Sequence, residues 1–401
     1  MEKKKTIHRL LNKGVEEILP SKEELEKILL SDKKLRVYQG FDPTAPTLHI
    51  GHTVAMRKLE DFRKLGHKVF FLIGDFTAMI GDPSDKMSTR KKLEREEVKK
   101  NLKNYKEQAS KIIDIDNKDN PVEVVFNHDW LSKLTLEDII ELSSHFTVQQ
   151  MIKRDMFQKR LEKESPIYLN EFLYPLMQGY DSVYLDVDVE VCGNDQMFNA
   201  LAGRQLCQEI LNKNKFVLSG KLLTTADGSK MGKSEGNMIK LSDKPNDIYG
   251  KVMSFPDEAI VQGFELLTNL ELEEIEEIEK ELKDNNTNPM ELKKRLAFEI
   301  TAQFNSKAEA EKAQKYFENV FQKKEYDTEI DEIEIDEKSI NIIDLLYNTQ
   351  VAQSKSEARR LIDQSAVNVD GEKIKEYDVV LEIKDPITLK VGKKVFKIIS
   401  G

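Results

Sequence analysis

Cysteine, tryptophan and long apolar stretches are all scarce in this sequence. Cys192 and Cys207 are the only cysteines among 401 residues, and their spacing fits neither a disulfide framework nor a metal site, which favours a reducing compartment. No window holds the about 18 apolar residues that a membrane span needs, and the basic segment 1–11 lacks the apolar core of a signal peptide. We therefore expect a cytoplasmic protein with no membrane segment.

The overall composition is that of a large globular chain. Hydrophobic residues make up 39% of the sequence, enough for a sizeable core, and a chain of this length usually forms two or three domains. The net charge of -10 argues against a general nucleic-acid coat protein but allows a local basic face.

The first part of the chain, 1–242, alternates strand-like and helix-like segments. Residues 34–40 and 69–73 read as strands on either side of an apolar-periodic helix, 48–65, which Gly66 terminates. That order predicts an α/β fold with a parallel sheet and right-handed crossovers. We also expect strands at 122–126 (buried) and 183–192, one charged helix at 91–113, and a helical insertion from about 95 to 165.

Beyond this part the pattern becomes helical and then changes again. Segment 243–330 carries helical periodicity only. The acidic stretch 331–337 has few apolar residues and is predicted to be a linker. The remainder, 338–401, reads as a small α+β module, with Ser354 placed to cap a helix and Asp370-Gly371 placed in a hairpin turn.

The strongest chemical signal is the segment 38–52, Tyr-Gln-Gly-Phe-Asp-Pro-Thr-Ala-Pro-Thr-Leu-His-Ile-Gly-His, which follows a strand and opens a helix. His49 and His52 lie on one helical face, and Gly51 lets a ligand approach the backbone. Free backbone amides and the positive end of a helix dipole favour an anion there. An H-x-x-H pair by itself is more often a pair of surface or cap residues, and less often a metal pair. Within a Gly/Pro loop it predicts a site for ATP phosphates.

A second glycine-rich segment, 225–237, carries Lys230 and Lys233. Its Gly-Ser-Lys-Met-Gly-Lys-Ser stretch is one residue short of a P-loop, and the residues after it do not open a helix. A plain surface turn remains an alternative. We favour a mobile lysine loop that closes over a triphosphate.

Together the two segments resemble a known family. Leu48-His49-Ile50-Gly51-His52 resembles the HIGH motif of class I aminoacyl-tRNA synthetases, and Lys230-Met231-Gly232-Lys233-Ser234 resembles their KMSKS loop. The resemblance covers nearly the whole chain and implies a Rossmann-like catalytic domain that binds ATP. Mg²⁺ would accompany the ATP, held by its phosphates rather than by a protein metal site. The residues implied at ATP are Gly40, Asp42, His49, Gly51, His52, Gly193, Asp195, Lys230, Met231, Lys233 and Ser234.

A stripe of polar residues indicates which amino acid is the substrate. Tyr174, Gln178 and Asp181 fall on one face of a predicted helix, for which exposure to solvent is the plain alternative. The stripe resembles the tyrosine-binding helix of tyrosyl-tRNA synthetases. By that resemblance Tyr38 and Asp181 would hold the phenol hydroxyl of tyrosine, which needs hydrogen-bond partners when buried. The other contacts implied are Tyr174, Gln178 and Asp82 at the ammonium group, and Gln196 at the tyrosine.

The implied reaction is attack of the tyrosine carboxylate on the α-phosphorus of ATP, followed by transfer to the terminal adenosine of tRNA(Tyr). A carboxylate needs no general base, so catalysis should consist of positioning and stabilisation of phosphate charge. The residues implied in that role are Thr44, His49, His52, Lys86, Arg90, Lys230 and Lys233. Asn127, just before the lone Trp130, is a weaker match. Departures from the residues common in the family, all near the ribose, are Gln39, Ala55 and Cys192.

The last segment has the charge that RNA binding needs. Residues 338–401 contain 11 Lys and Arg against 9 Asp and Glu, although the whole chain is acidic. This segment resembles the S4 RNA-binding domain, with a charged solvated helix as the plain alternative. The resemblance implies tRNA contacts at Lys355, Arg359 and Arg360. It also implies an anticodon-side domain at 243–330 and a homodimer formed through the insertion.

Three other functions share some of these features. Tryptophanyl-tRNA synthetases carry both motifs, but Tyr38, Asp181 and the S4-like module favour tyrosine. A non-catalytic RNA-binding paralogue would not need His49, His52 and the two lysines. A small nucleotidyltransferase with an H-x-G-H loop would lack the helical and S4-like parts. The predicted function is therefore that of a tyrosine–tRNA ligase.

Overall fold

A computed structural model of the chain describes residues 2–82, 94–224, 231, 238–283, 288–319, 331–335, 337, 339–349, 351–352, 354–383, 386–392 and 394–400. Five predicted site residues lie outside the described residues: Lys86, Arg90, Lys230, Lys233 and Ser234. The chain forms two compact units, residues 1–313 and 314–401.

The first unit is built on a six-stranded sheet. Its strands are β1 (Val15–Leu19), β2 (Arg36–Phe41), β3 (Lys68–Ile73), β4 (Glu123–Phe126), β5 (Val189–Gly193) and β6 (Phe216–Gly220). The strand order is β1-β6-β5-β2-β3-β4, and all neighbours are parallel except β1 and β6. The predicted α/β fold with a parallel sheet is confirmed. The strand order reverses between β2 and β5, and a crevice forms at the carboxyl ends of strands at such a reversal.

Helices surround this sheet and continue beyond it. They are α1 (Glu2–Asn12), α2 (Lys22–Leu30), α3 (Ile50–Lys64), α4 (Thr77–Ile80), α5 (Arg95–Leu102), α6 (Tyr105–Ala109), α7 (His128–Leu131), α8 (Leu136–Ser144), α9 (Val148–Ile152), α10 (Asp155–Glu162), α11 (Leu169–Tyr184), α12 (Met197–Leu211), α13 (Pro245–Met253), α14 (Ile260–Leu267), α15 (Leu272–Lys283), α16 (Pro289–Phe304) and α17 (Lys307–Phe317). The described elements after the sheet, from α13 to α17, are helices, and most of them pack within the first compact unit; the domain boundaries at 243 and 330 stay a prediction.

The crossover from β2 to β3 shows why these residues fold as they do. Helix α3 buries the apolar stripe that contains Val54, Leu59 and Phe62. The helix ends where Gly66 adopts a φ of +78°, a conformation that side-chain-bearing residues rarely accept. Strand β3 is buried along almost its whole length, as its continuous apolar run predicted.

Three local predictions were wrong, each because tertiary structure decided the outcome. Residues 183 and 184 end helix α11, and the strand expected at 183–192 is instead the shorter β5, Val189–Gly193. The expected helix at 91–113 contains two short helices, α5 and α6, and the turn between them lets Tyr105 donate to the Ala45 carbonyl oxygen (2.7 Å). Strand β4 lies at the sheet edge and is only partly buried.

In its described residues, the second unit holds two small sheets and two complete helices, besides the end of α17. Its elements are β7 (Asp331–Ile335), β8 (Ser339–Asn341), α18 (Ile342–Asn348), α19 (Lys355–Asp363), β9 (Val367–Val369), β10 (Glu372–Lys373), β11 (Val380–Glu382), β12 (Ile387–Val391) and β13 (Lys394–Ser400). One sheet has the order β10-β9-β12-β13-β7, and β8 pairs with β11. All these pairs are antiparallel except β13 with β7.

Local signals in this unit were read correctly with one exception. The Ser354 side chain accepts from the Glu357 amide and caps α19. Asp370 and Gly371 have φ values of 49° and 93° and turn the chain from β9 into β10. The predicted linker 331–337 is wrong in part, because Asp331–Ile335 forms strand β7. Ile333 and Ile335 alternate with acidic residues there, and this alternation is typical of a half-buried strand although the composition is acidic.

Candidate active site

A cavity of about 330 Å³ lies at the carboxyl ends of β2 and β5. This is the crevice that the strand order creates. The predicted site residues that line it are Gly40, Asp42, Thr44, His49, Gly51, His52, Asp82, Tyr174, Gln178, Asp181, Gly193, Asp195, Gln196 and Met231. The three departures from the family pattern, Gln39, Ala55 and Cys192, line it as well. The fold therefore brings together residues that are up to about two hundred positions apart in sequence.

The two histidines of the first motif form the N-terminal cap of α3. His49 Nδ1 accepts from the Gly51 amide (3.2 Å), and the His49 amide donates to His52 Nδ1 (3.0 Å). The two rings lie 3.8 Å apart between centroids. Because each Nδ1 is an acceptor, each neutral ring carries its proton on Nε2, as a donor. A Cβ at Gly51 would lie 3.0 Å from His49 Cε1, so glycine there leaves room for the ring.

The expectation of free amides at this helix end was wrong. The Ile50 amide donates to the Ile239 carbonyl (2.9 Å), the Gly51 amide to His49 Nδ1, and the His52 amide to the His49 carbonyl (2.9 Å). The imidazole N–H groups and the helix dipole, rather than these amides, are what α3 offers to an anion.

One residue within the second motif and one after it also reach the cavity. Met231 and Met238 both line it. The Met231 amide donates to the Leu223 carbonyl (2.8 Å), and the Leu241 amide donates to the Leu48 carbonyl (3.0 Å). The chain that leaves the second motif is thus hydrogen-bonded to the first motif.

Asp42 is held from two sides at the end of β2. Tyr174 donates to Oδ2 (2.9 Å), and Thr77 donates to Oδ1 (2.7 Å). A Cβ at Gly74 would lie 2.0 Å from that same Oδ1, so only glycine fits there without moving the carboxylate. Asp42 therefore has a fixed position at the cavity wall.

Asp181 is a buried carboxylate at the base of the cavity, with 2% of its surface exposed. Trp130 Nε1 donates to Oδ1 (2.8 Å), and Asn127 Nδ2 donates to Oδ2 (3.2 Å). Burial raises the pKa of Asp181 well above its usual value, while the two donors act in the opposite direction. The weak match at Asn127 thus does reach the site, at its buried carboxylate.

Tyr38 does not join Asp181 on the cavity wall. It is fully buried, and its hydroxyl pairs with Ser182 Oγ (2.8 Å). Burial raises the pKa of Tyr38 well above its usual value, which keeps the phenol protonated. The structure therefore places one member of the predicted phenol-binding pair at the cavity and the other behind it.

The remaining predicted tyrosine contacts form two pairs. Gln178 Nε2 donates to Glu190 Oε1 (3.0 Å), and Gln196 Nε2 donates to Asp82 Oδ2 (2.6 Å). Arg154 lies 4.0 Å from Asp82. Sequence reasoning missed the partners of these groups, although a glutamate in the apolar strand β5 was a visible signal of a buried charge. The residues missed in this way are Thr77, Ser182, Glu190, Lys215 and, as a carboxylate donor, Trp130.

The predicted RNA contacts lie in the second unit, all exposed on α19. Lys355 pairs with Asp344 (2.6 Å) and Arg360 with Glu357 (3.2 Å). Among the described residues, no cluster of histidine, cysteine and acidic side chains could hold a metal ion. None of the described helices is long and apolar enough to cross a membrane.

Comparison with known proteins finds related families for both the long first part and the short last part of the chain. Residues 30–322 match the family of tRNA synthetases class I (W and Y), and residues 322–399 match the tyrosine–tRNA ligase SYY-like C-terminal domain. The tyrosine–tRNA ligase of Thermotoga maritima is 45% identical over 98% of this chain and 97% of its own length. That of Aquifex aeolicus is 42% identical over 98% of both chains. A C-terminally truncated mitochondrial tyrosyl-tRNA synthetase of Aspergillus nidulans shares the fold, with a TM-score of 0.65, 23% identity, and coverage of 79% of this chain and 94% of that one.

Proposed function

The chain belongs to the tyrosyl-tRNA synthetases of class I, and on that premise we propose that it activates L-tyrosine with ATP and transfers it to tRNA(Tyr). The observation that carries the proposal is the single cavity that joins the capped histidine pair of α3 to the buried carboxylate Asp181. One end supplies donors for phosphate, and the other supplies a partner for a buried hydroxyl.

Tyrosine would bind at the Asp181 end of the cavity. Its phenol hydroxyl would donate to the Asp181 carboxylate, which Trp130 and Asn127 already hold in place. Its ammonium group would meet oxygens of Tyr174, Gln178 and Asp82. Phenylalanine has the same ammonium group but no hydroxyl to donate to the buried Asp181 carboxylate, and the cost of that missing hydrogen bond selects for tyrosine.

ATP would lie between the two motifs. Neutral His49 and His52 would donate through Nε2 to the phosphates, and Asp195 on the other side would take the ribose hydroxyls. Thr44, Lys86, Arg90, Lys230 and Lys233 would stabilise the developing phosphate charge, and Met231 and Ser234 would lie along the nucleotide. Mg²⁺ would bind mainly to the phosphates.

The reaction follows from this placement. The tyrosine carboxylate attacks the α-phosphorus in line and pyrophosphate leaves. A hydroxyl of the terminal adenosine of the tRNA then attacks the carbonyl of the adenylate. Both steps depend on orientation and on charge stabilisation, so no general base is required for the first.

The experiment is ATP–pyrophosphate exchange measured with each of the twenty amino acids. Tyrosine should support exchange far better than any other amino acid, because only its hydroxyl can donate to Asp181. Exchange supported equally by tryptophan or phenylalanine would contradict the specificity, and no exchange with any amino acid would contradict the activity.

The second unit and segment 243–330 would bind the tRNA. Lys355, Arg359 and Arg360 are exposed on one helix, α19, where their charges can reach phosphates. The ion pairs of Lys355 and Arg360 are at the surface, where such pairs contribute little and exchange readily.

A homodimer formed through the helical insertion is also part of the proposal. Large apolar side chains are exposed on and beside the insertion, including Leu136 (76% exposed) and Leu169 (82% exposed). Exposed apolar side chains favour an interaction site, and by the family resemblance the partner there would be a second copy of the chain. Sedimentation analysis should give a dimer, and Ile140→Glu should shift it to monomer; a wild-type monomer at micromolar concentration would contradict it. A cytoplasmic location stays a prediction.

A further inference from the structure

A largely buried polar network adjoins the tyrosine end of the cavity, where Gln178 and Glu190 line the wall. The side chains of Lys215 and Glu190 form an ion pair with 0% and 2% exposure. Lys215 Nζ also donates to Ser182 Oγ (2.8 Å), which in turn pairs with the Tyr38 hydroxyl (2.8 Å). The other Glu190 oxygen accepts from Gln178 Nε2 (3.0 Å). The ion pair thus contacts Gln178, predicted to lie at the ammonium group of tyrosine, and also Ser182, the hydrogen-bond partner of Tyr38 near the phenol site.

Stability alone is a poor reason for such a pair. Removing two charges from water is costly, and well-packed apolar residues often stabilise a core as well or better. The neighbouring helix α12 also leaves space for the ion pair. A Cβ at Gly203 would lie 2.6 Å from Lys215 Nζ and 2.8 Å from Ser182 Oγ, so glycine on α12 leaves the space that the ammonium occupies.

The two charges determine how the Gln178 amide and the Ser182 hydroxyl are oriented. A carboxylate only accepts, so Glu190 requires the nitrogen of the Gln178 amide, and the amide oxygen is left for a cationic group in the cavity. An ammonium only donates, so Lys215 makes Ser182 Oγ an acceptor. Ser182 then has one hydrogen and one acceptor position left for Tyr38 and Glu190.

We propose that the buried Lys215–Glu190 pair is a positioning unit for tyrosine recognition, in which Glu190 orients Gln178 toward the substrate ammonium and Lys215, through Ser182, orients the Tyr38 hydroxyl behind the phenol site. The inference rests on the proposed function. Neither charged residue touches the substrate phenol in this scheme, and both act through other side chains.

The two branches of the network, Lys215–Ser182–Tyr38 and Glu190–Gln178, predict different kinetic effects in pyrophosphate exchange. Ser182→Ala keeps the ion pair and removes the support of Tyr38, so the ratio of kcat/KM for tyrosine over phenylalanine should fall about 10-fold, the scale of one hydrogen bond. Ser182→Thr keeps the hydroxyl and should keep the ratio. Glu190→Gln frees the Gln178 amide, so KM should rise about 10-fold for both amino acids with their ratio unchanged. KM for ATP should not change in either variant.

A matched control separates positioning from general destabilisation. Arg160 and Glu171 form another ion pair of similar burial (1% and 8% exposure). Arg160→Met should lower the midpoint of thermal unfolding and leave the tyrosine-to-phenylalanine ratio unchanged.

Two outcomes would overturn the inference. Ser182→Ala and Glu190→Gln could both fold and keep the wild-type tyrosine KM and ratio, or their effects could match those of Arg160→Met. If Glu190→Gln does not fold, Ser182→Ala decides by itself, because it keeps the ion pair. Absence of tyrosine-dependent exchange in the wild-type protein is a separate result, which removes the proposed function and this inference with it.

Discussion

Replacement of Trp130 by phenylalanine tests the phenol end of the cavity most directly. Trp130 Nε1 donates to Asp181 Oδ1 over 2.8 Å, and both side chains are almost fully buried. Phenylalanine keeps an aromatic ring against Tyr184, whose ring lies 4.4 Å from that of Trp130 at an angle of 15°, but it lacks the donor and one of the two fused rings. The variant therefore removes this hydrogen bond together with part of the packed ring, and the loss of packing is measured separately by thermal unfolding.

The size of the effect follows from the charge of the acceptor. A hydrogen bond to an ionised group contributes about 1.5–3 kcal/mol, which corresponds to a factor of roughly 10–150 in binding. In Trp130→Phe the KM for tyrosine should rise by a factor in this range, while the KM for ATP stays unchanged. Asn127 would remain as the single donor to the carboxylate.

The same variant predicts a pH dependence. Burial already raises the pKa of Asp181, and the Trp130 donor counteracts it by stabilising the ionised form. Loss of the donor should raise this pKa further. Tyrosine recognition needs the ionised carboxylate of Asp181. The KM for tyrosine of the variant should therefore fall as the pH is raised, over a pH range in which the KM of the wild-type protein changes less.

The assay is tyrosine-dependent pyrophosphate exchange at several pH values, with thermal unfolding as a check on folding. Tyr184→Phe is the matched control, because it keeps the stacked ring and makes no contact with Asp181 through its hydroxyl. A Trp130→Phe protein that is folded and has a tyrosine KM within about twofold of wild type at every pH would refute this account of the site.

Four further predictions test other parts of the structure. Gly74→Ala should lower kcat/KM for exchange on the order of 10- to 100-fold, because its Cβ would lie 2.0 Å from the Asp42 carboxylate; unchanged kinetics would mean that Asp42 need not stay in place. His52→Ala should lower the exchange rate on the order of 100-fold by removing a phosphate donor, and a wild-type rate would contradict the assigned role. His67 is buried, with a pKa lowered from 6.5 to about 4 mainly by burial, so the unfolded state binds its proton first as the pH falls. The free energy of unfolding should thus fall by roughly 2 kcal/mol between pH 7.5 and 4.5 because of this residue, and denaturant titrations of His67→Gln should lack that part. Truncation after Asn319, ahead of β7, should spare exchange and weaken tRNA charging; equal loss of both would contradict the division of labour.

The sequence by itself determined the features that depend on neighbours along the chain. The apolar period of α3, its stop at Gly66 and the Asp370-Gly371 turn are local properties, and all were predictable. The two motifs and the polar stripe of α11 were also readable, because each is a fixed spacing on one element. The reaction and the family followed from these.

Only the tertiary structure decided which groups meet. Sequence spacing could place Asp181 on a helix face, but not that Trp130 and Asn127 would bind its carboxylate, or that Tyr38 would pair with Ser182. Likewise the amides at the start of α3 looked free from the sequence, but the distant Ile239 carbonyl and the carbonyl and imidazole of neighbouring His49 accept from them. The physical reason is that a buried polar group must find partners wherever the packed chain supplies them, and those partners come from strands and helices far apart in sequence.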